Sequence, residues 1–439
     1  MENRYDKYKD SGIAWIGEIP EHWKIIDLKY LSDIRGRIGF RGYTVSDLVS
    51  EGKGAFVIGG KHINQCVLNM EYPDYISWDK YYESPEIMVS KGDIVMAQRG
   101  TLGKVAIIEY DINEATINPS LVLIKNIKCQ GKFLYYYLNS ESTLTLISIL
   151  NTATAVPMIS QNQIENMPIP IPSSIEQQSI ATYLDQKCSE IDELITMQEE
   201  MITKLQSYKQ SVITEAVTKG LDKNVPLKDS GIEWIGEIPE HWICTVFKKF
   251  LSEPMQYGAN EPAEECNYND PRYIRITDIK DDGTLRDDTF KSLPLEKAKE
   301  YMLTKGDLLF ARSGATVGKT FLYKEDYAAC FAGYLIKARC NKNELLPNFV
   351  FYYTLSNVYQ NWKNSIFIQS TIQNIGADKY SVMPIIIPPL SEQQSIADYL
   401  DRKCSEIDEL ISIKQQKIEK LKDYKKSLIF ECVTGKRKV

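Results

Sequence analysis

The segment EQQSIATYLDQKCSEIDELI, from Glu176 to Ile195, returns almost unchanged as EQQSIADYLDRKCSEIDELI from Glu392 to Ile411. The copy continues through Lys204–Ile213 and Lys420–Ile429 at the same offset of 216 (420 − 204). Both copies hold one register for about forty residues without Gly or Pro, which predicts one long helix in each half of a duplicated chain. Apolar positions step by three and four through Leu184, Cys188, Ile191, Ile195, Ile202, Leu205, Val212 and Ala216. In the second copy they are Leu400, Cys404, Ile407, Ile411, Ile418, Leu421, Leu428 and Cys432. This is a heptad seam. Gln198 and Lys209, matched by Lys414 and Lys425, interrupt it, either as snorkelling side chains on a wet partner surface or as a register device. A second row, Leu194, Met201 and Tyr208 against Leu410, Lys417 and Tyr424, predicts more than one neighbour for each helix.

A chain of 439 residues can bury two cores, and its net charge of −7 suits a soluble globular protein. No apolar run approaches the roughly 18 residues of a membrane span, and the opening residues lack a signal peptide's apolar region, so cytoplasm is expected. Nine scattered cysteines and three histidines offer no zinc-ligand cluster and no disulfide framework. Cys188 and Cys404 read as small buried hydrophobes on the seam.

A second repeat precedes each globular part: Lys9–Trp23 returns as Lys228–Trp242 with one difference, at an offset of 219 (228 − 9). Its tryptophans, glycines and proline suit an irregular strap, and His22 and His241 are expected to be structural. Short apolar runs then predict strands at Ala55–Ile58, Asp93–Ala97 and Lys104–Ile108, and at Tyr273–Thr277, Asp307–Ala311 and Thr320–Tyr323. Helical patches follow at Phe133–Leu138 and Phe349–Leu355. Pro-punctuated stretches, Met167–Pro172 and Met383–Pro389, hold the chain extended before each helix, with Ser173, Ser174 and Ser391 as candidate caps. The expected organisation is α+β: a globular domain over 1–172, a long helix over 173–219, a linker over 220–228, a second domain over 229–389 and a second helix over 390–434. Two helices of some 43 residues, about 65 Å each, could pair antiparallel as a coiled coil under a pseudo-two-fold axis. Their length would then space two globular parts over sites one or two DNA turns apart, roughly 34 Å per turn.

The doubled I-G-x-I-P-x-x-W strap, the doubled P-x-x-x-E-Q-x-x-I before each long helix, and the doubled K-G-D-[IL]-[LV] ahead of a Gly-rich loop occur in the same order in both halves. With these the chain resembles, over essentially its full length, the specificity subunit of Type I restriction–modification systems. The resemblance implies two target recognition domains, each reading one half of a split asymmetric site in double-stranded DNA, separated by the two helices. It further implies no catalysis and no cofactor of its own, docking of two methyltransferase (modification) subunits with restriction subunits joining that core, and adenine as the methylated base.

The candidate DNA contacts start with the Gly-rich loops, Arg99 and Lys104 in the first half and Arg312, Ser313, Thr316 and Lys319 in the second, where glycines allow close approach and cations serve phosphate or guanine. Lys61 and His62 align with Arg275 and Thr277 at a strand and its exit. Arg35, Arg37 and Arg41 form a basic run present only in the first half. Just before the Pro stretch, Thr154 aligns with Ser370, Thr371 and Gln373, where family members carry a Gly-Ser/Thr pair beside DNA.

The loop from Gly314 to Lys319 has one residue too few for a nucleotide-binding P-loop. A methyltransferase or nuclease chain lacks its motifs here: the nearest echoes are Asn118-Pro119-Ser120 and Pro73-Asp74. A coiled-coil scaffold binding only protein is the remaining alternative, and it leaves unexplained why a retained frame carries such different loops. Because phosphate neutralisation supplies most non-specific affinity, an acidic chain is expected to bind DNA weakly alone and tightly with its partner subunits.

Overall fold

The computed structural model describes residues 4–37, 42–64, 67–151, 156–263, 267–280, 283–368 and 374–439. It divides into two compact units, one of residues 1–198 with 416–439 and the other of residues 199–415. Both long helices, Ser174–Lys219 and Leu390–Val433, contribute to each unit.

In the first unit an antiparallel sheet runs in the order Val105–Ile107, Ile94–Ala97, Leu121–Lys125, Asp33–Gly36. A second sheet orders Ala115–Ile117, Gly54–Ile58, Asp74–Ser77, Leu48–Val49, its first pair parallel. Strand alternation divides the core between the faces of the first sheet. Ile94, Met96, Val122 and Ile124 point to the helices, and Val95, Ala97, Leu121 and Leu123 pack with the second sheet's Phe56 and Ile58. The helical layer is Gly131–Leu138 and Glu141–Leu150, whose Phe133, Leu134 and Tyr137 meet Leu184, Cys188 and Ile191 of one long helix and Leu428, Cys432 and Val433 of the other.

The second unit repeats the plan. Its sheet orders Gln256–Tyr257, Leu335–Arg339, Asp307–Ala311, Thr320–Leu322, and Arg272–Ile274 lies parallel to Ala329–Phe331. Phe349, Val350 and Tyr353 of helix Pro347–Leu355 join Ile396, Leu400 and Cys404 with Val212, Ala216 and Val217. The expected run Tyr273–Thr277 ends as a strand at Ile274, and Ile276–Asp278 turns as a 3-10 segment.

The repeated sequence has a physical account in the ties it makes. Trp23 and Trp242 are fully buried. His22 Nε2 sits 2.9 Å from Glu176 Oε1 and His241 Nε2 2.7 Å from Glu392 Oε1, so each strap is fastened to the first turn of a long helix. Both strap histidines are structural, with an acidic partner about 150 residues away in sequence. Gln177 accepts from Gln130 N and donates to Pro172 O, each at 2.9 Å, while Gln393 accepts from Leu346 N at 2.7 Å and donates to Pro388 O at 2.8 Å. Tyr136 and Tyr352 donate to Asp185 and Asp401, and Tyr137 and Tyr353 to the carbonyls of Pro168 and Pro384. Each Pro stretch forms one strand of a two-stranded ladder, Pro168–Ile171 with Lys24–Asp27 and Pro384–Ile387 with Ile243–Val246, where a missing N–H can face outward.

Ser173 caps the first helix: its Oγ accepts from Glu176 N at 3.3 Å and the Glu176 carboxylate accepts from Ser173 N at 3.2 Å. Ser174 is already helical, and Ser391 is no cap, because the second helix starts at Leu390 and Ser391 O accepts from Ser395 Oγ.

Of the seam, Leu184, Ile191, Val212, Leu400, Ile407, Ile418 and Leu428 are buried, and Ile195, Ile202, Leu205, Ile411 and Leu421 are half-buried. In each unit the two helices run antiparallel, since Cys188 and Asp192 meet Cys432 and Lys425, and Cys404 and Asp408 meet Ala216 and Lys209. Lys425 Nζ lies 2.7 Å from Asp192 and Lys209 Nζ 2.6 Å from Asp408. These lysines thus snorkel from the seam to exposed carboxylates, ion pairs that contribute about 0–1 kcal/mol and fix register more than stability. The second row is uncovered: Leu194, Met201, Tyr208, Leu410 and Tyr424 are exposed. The second neighbour expected for each helix is therefore not supplied by the described chain.

The turn after the second helix closes the first unit. Gly435 has φ +73°, and a side chain there would run into Pro20 and press on Trp23. Gly12 has the same φ with open space around it. Gly435→Ala is expected to lower stability by more than Gly12→Ala, which carries only the backbone cost of about 1–2 kcal/mol. Urea unfolding midpoints of the two variants check this, and equal shifts would contradict it.

Candidate nucleic-acid interface

The two units build the same corner from equivalent residues. Where the strands Ile94–Ala97 and Asp307–Ala311 end, the next residue is pinned twice by its backbone. Gln98 N donates to Ser120 O at 2.9 Å and its carbonyl accepts from Ile159 N at 2.9 Å. Arg312 N donates to Tyr334 O at 3.0 Å and its carbonyl accepts from Ile375 N at 2.8 Å. The following residues, Arg99 and Ser313, bridge to Met158 and Asn374. Each corner thus gathers the Gly-rich loop, the turn 118–120 or 332–334, and the segment leading to the Pro stretch. That turn also adjoins the strand exit, through Asn118 N donating to Ile58 O at 2.8 Å and Ala332 N to Ile274 O at 2.9 Å. In the first unit Lys104 Nζ reaches Gly60 O at 3.5 Å, beside Lys61 at the strand exit.

The Gly-rich loops are not phosphate cradles of the nucleotide-binding kind. Each leads into a strand, Val105–Ile107 or Thr320–Leu322, so no helix N-terminus follows the glycines.

Three of the candidate residues bond within the protein. His62 is buried against Phe56; its Nδ1 accepts from Gly59 N at 2.9 Å, and burial lowers its pKa. Asp278 does the same work in the second unit, accepting from Arg275 N at 2.8 Å. Arg275 lays its guanidinium on that buried carboxylate, with Nη2 2.8 Å from Oδ1 and 3.0 Å from Thr289 O. Arg37 is also internal: it is buried, donates to Ile117 O and Thr116 Oγ1, and stacks over Tyr43. The side chains of His62, Arg275 and Arg37 thus make these bonds inside the protein.

The remaining described candidates stay at the surface. Arg99 is exposed, its Nη2 3.3 Å from the Met158 sulfur, a weak acceptor. Lys61 pairs at 2.7 Å with Asp74, both half-exposed, and Arg35 lies 3.9 Å from Asp33. Such surface pairs are readily exchanged for another anion. Thr277 is exposed, and Ser313, Thr316 and Lys319 are half-buried, with Thr316 Oγ1 unpartnered. Arg312 stacks over Tyr257 at 4.9 Å. Arg41, Thr154, Ser370, Thr371 and Gln373 lie outside the described residues. Gln98, Tyr257 and Tyr334 were not among the candidates; the offset of 214 (305 − 91) between the K-G-D motifs pairs Gln98 with Arg312, whereas no motif marks the two tyrosines.

The buried imidazole gives the first unit an acid sensitivity. A lowered folded pKa means the unfolded chain binds the proton more readily, so stability is held above the ordinary value near 6.5 and lost as pH falls below it. His62→Gln is expected to flatten the fall in unfolding midpoint between pH 7.5 and pH 5.5, and an unchanged slope would contradict it.

A family model, Type I restriction modification DNA specificity domain, matches residues 63–204 and 256–423. The chain is 24% identical to the Type I restriction enzyme MjaVIII specificity subunit of Methanocaldococcus jannaschii, covering 96% of this chain and 94% of that protein. It is 22% identical to the Type I restriction enzyme EcoBI specificity subunit of Escherichia coli, over 70% of this chain and 66% of that one. A chain solved in work on complex assembly and conformational transition of the type I R-M system has the same fold, with a TM-score of 0.70, 16% identity, and coverage of 94% of this chain and 98% of that one. The HsdS subunit from Thermoanaerobacter tengcongensis aligns at a TM-score of 0.51 with 16% identity, over 95% and 98%. With the family's domain matched once in each half, on a doubled frame that differs at its corners, the chain belongs to the DNA sequence-specificity subunits of Type I restriction–modification systems.

Proposed function

We propose that each unit reads one half of a split, asymmetric site in double-stranded DNA through its corner, and that the two long helices set the spacing between the halves. The observation that carries this reading is one scaffold with two different surfaces: the same backbone pins hold Gln98 in one unit and Arg312 in the other. A scaffold binding only protein would not need that divergence.

The chain contributes recognition, and methyl transfer belongs to two modification subunits, with restriction subunits joining the complex in the cytoplasm. The exposed apolar row of the helices, Leu194, Met197 and Tyr424 in one unit and Tyr208, Leu410 and Ile413 in the other, suits docking of those modification subunits. The net charge of −7 leaves the chain dependent on them for phosphate contacts and for tight binding. Co-expression with the modification subunits of its own system, followed by modification mapping of host DNA, is expected to give two short sequences with a fixed gap and methylated adenine. A continuous motif would contradict the two-reader account.

Within that reading Arg99 is a phosphate contact. Arg99→Ala is expected to weaken binding by the assembled complex similarly across DNA sequences and to reduce the salt dependence by about one phosphate's worth. Equilibrium binding at several salt concentrations checks this, and an unchanged salt slope would contradict it.

A further inference from the structure

The arginines of the second unit differ in what they have left to give. Arg272 donates to Tyr327 Oη and Arg286 O, Arg275 is committed to Asp278 and Thr289 O, and Arg339 to Asp307 and Glu253. Arg312 has no ion pair and no side-chain hydrogen bond among the described residues; its Nε is enclosed without a partner, as is that of Arg272, but Arg272 has its terminal nitrogens bonded within the chain. A guanidinium whose terminal donors are committed to nothing in the chain is left to take acceptors from outside it.

The same side chain is held in place. Its guanidinium lies 4.9 Å from the centre of the Tyr257 ring. That ring is anchored by its strand pairing with Ile336 and by its hydroxyl, which accepts from Ala377 N at 3.0 Å. The Arg312 backbone is fixed on both sides by Tyr334 O and Ile375 N. Stacking on a ring leaves the planar edge of a guanidinium free and oriented, which suits a ligand offering two acceptors in one plane. Guanine presents such a pair, O6 and N7, in the major groove. At the equivalent position of the first unit, Gln98 has spent its side-chain donor on Pro119 O at 3.1 Å and Leu121 O at 3.3 Å.

We propose that Arg312 is the side chain that reads a guanine in the half-site of the second unit, and that its counterpart Gln98 is a turn-holding residue and not a base reader. This rests on the split-site reading above and adds a named base, a named residue and an asymmetry between the halves. A backbone phosphate also offers paired acceptors, and the test separates the two sources.

The test uses the complex of the full chain with its modification subunits and duplexes carrying its mapped motif. Each guanine pair member in the second half is replaced in turn by 7-deazaguanine, which removes the N7 acceptor. At one position the wild-type complex is expected to lose about 10-fold in affinity, within the range of a base contact. Arg312→Gln is expected to lose affinity for unmodified DNA and to be indifferent to that replacement, and Arg312→Lys to relax the same position. Gln98→Ala is expected to leave the first half of the motif unchanged. If Arg312→Gln fails to assemble, Arg312→Lys decides: a loss at the sensitive position as large as in the wild type overturns the proposal. A second half without a guanine, or with none sensitive to the replacement, overturns the proposal. So does uniform weakening in Arg312→Gln that Arg312→Lys restores, which is a phosphate contact. A motif that is not split overturns the underlying reading instead.

Discussion

Each unit closes its core with apolar residues from both long helices, and the rest of the structure depends on that. Leu184, Cys188 and Ile191 meet Leu428, Cys432 and Val433 in one unit, and Leu400 and Cys404 meet Val212, Ala216 and Val217 in the other. Burying each such Leu, Ile or Val contributes about 1.5–3 kcal/mol, against about 0–1 for each of the pairs Lys425–Asp192 and Lys209–Asp408. The seam therefore supplies the stability, while the ion pairs favour one register. Neither unit is complete without a segment from the other half of the sequence, which explains why seam and strap are repeated so faithfully.

That fixed frame presents two corners that have diverged. The same turn after the strand exit is capped by an imidazole in one unit and a carboxylate in the other, His62 and Asp278, each accepting from the backbone three residues earlier. The frame specifies the hydrogen bond and not the side chain that makes it. Arg99, Thr277 and Arg312 lie outside the buried core, so the frame leaves them free to vary. This combination fits the proposed reading, in which two different half-sites are read from one frame.

The long helices, the strap, the α+β class and most strands were legible in the sequence, because helix and strand periods show directly and an internal copy supplies the comparison. The ties were not. His22 and Glu176 are bonded across 154 residues, and no spacing rule joins them. Exposure of a basic side chain was equally hidden. Arg37 and Arg275 sit in Gly- or strand-flanked runs like Arg99, yet they bond inward to Thr116 and Asp278, and only the fold tells a committed guanidinium from a free one. Tyr257 and Tyr334 escaped notice because an exposed tyrosine carries no motif. Ser391 misled for a different reason: Leu390 had already entered the helix.

The central claim is that the frame is common to both units and the reading surface is local to each. Replacing residues 247–383 by residues 28–167 of the same chain keeps both Pro-stretch ladders and both long helices, and leaves two copies of the first reading surface. Modification mapping of the assembled complex carrying this exchange tests the claim directly. The account predicts that the second half of the motif is replaced by the sequence of the first while the gap is kept. A second half that persists unchanged would contradict it.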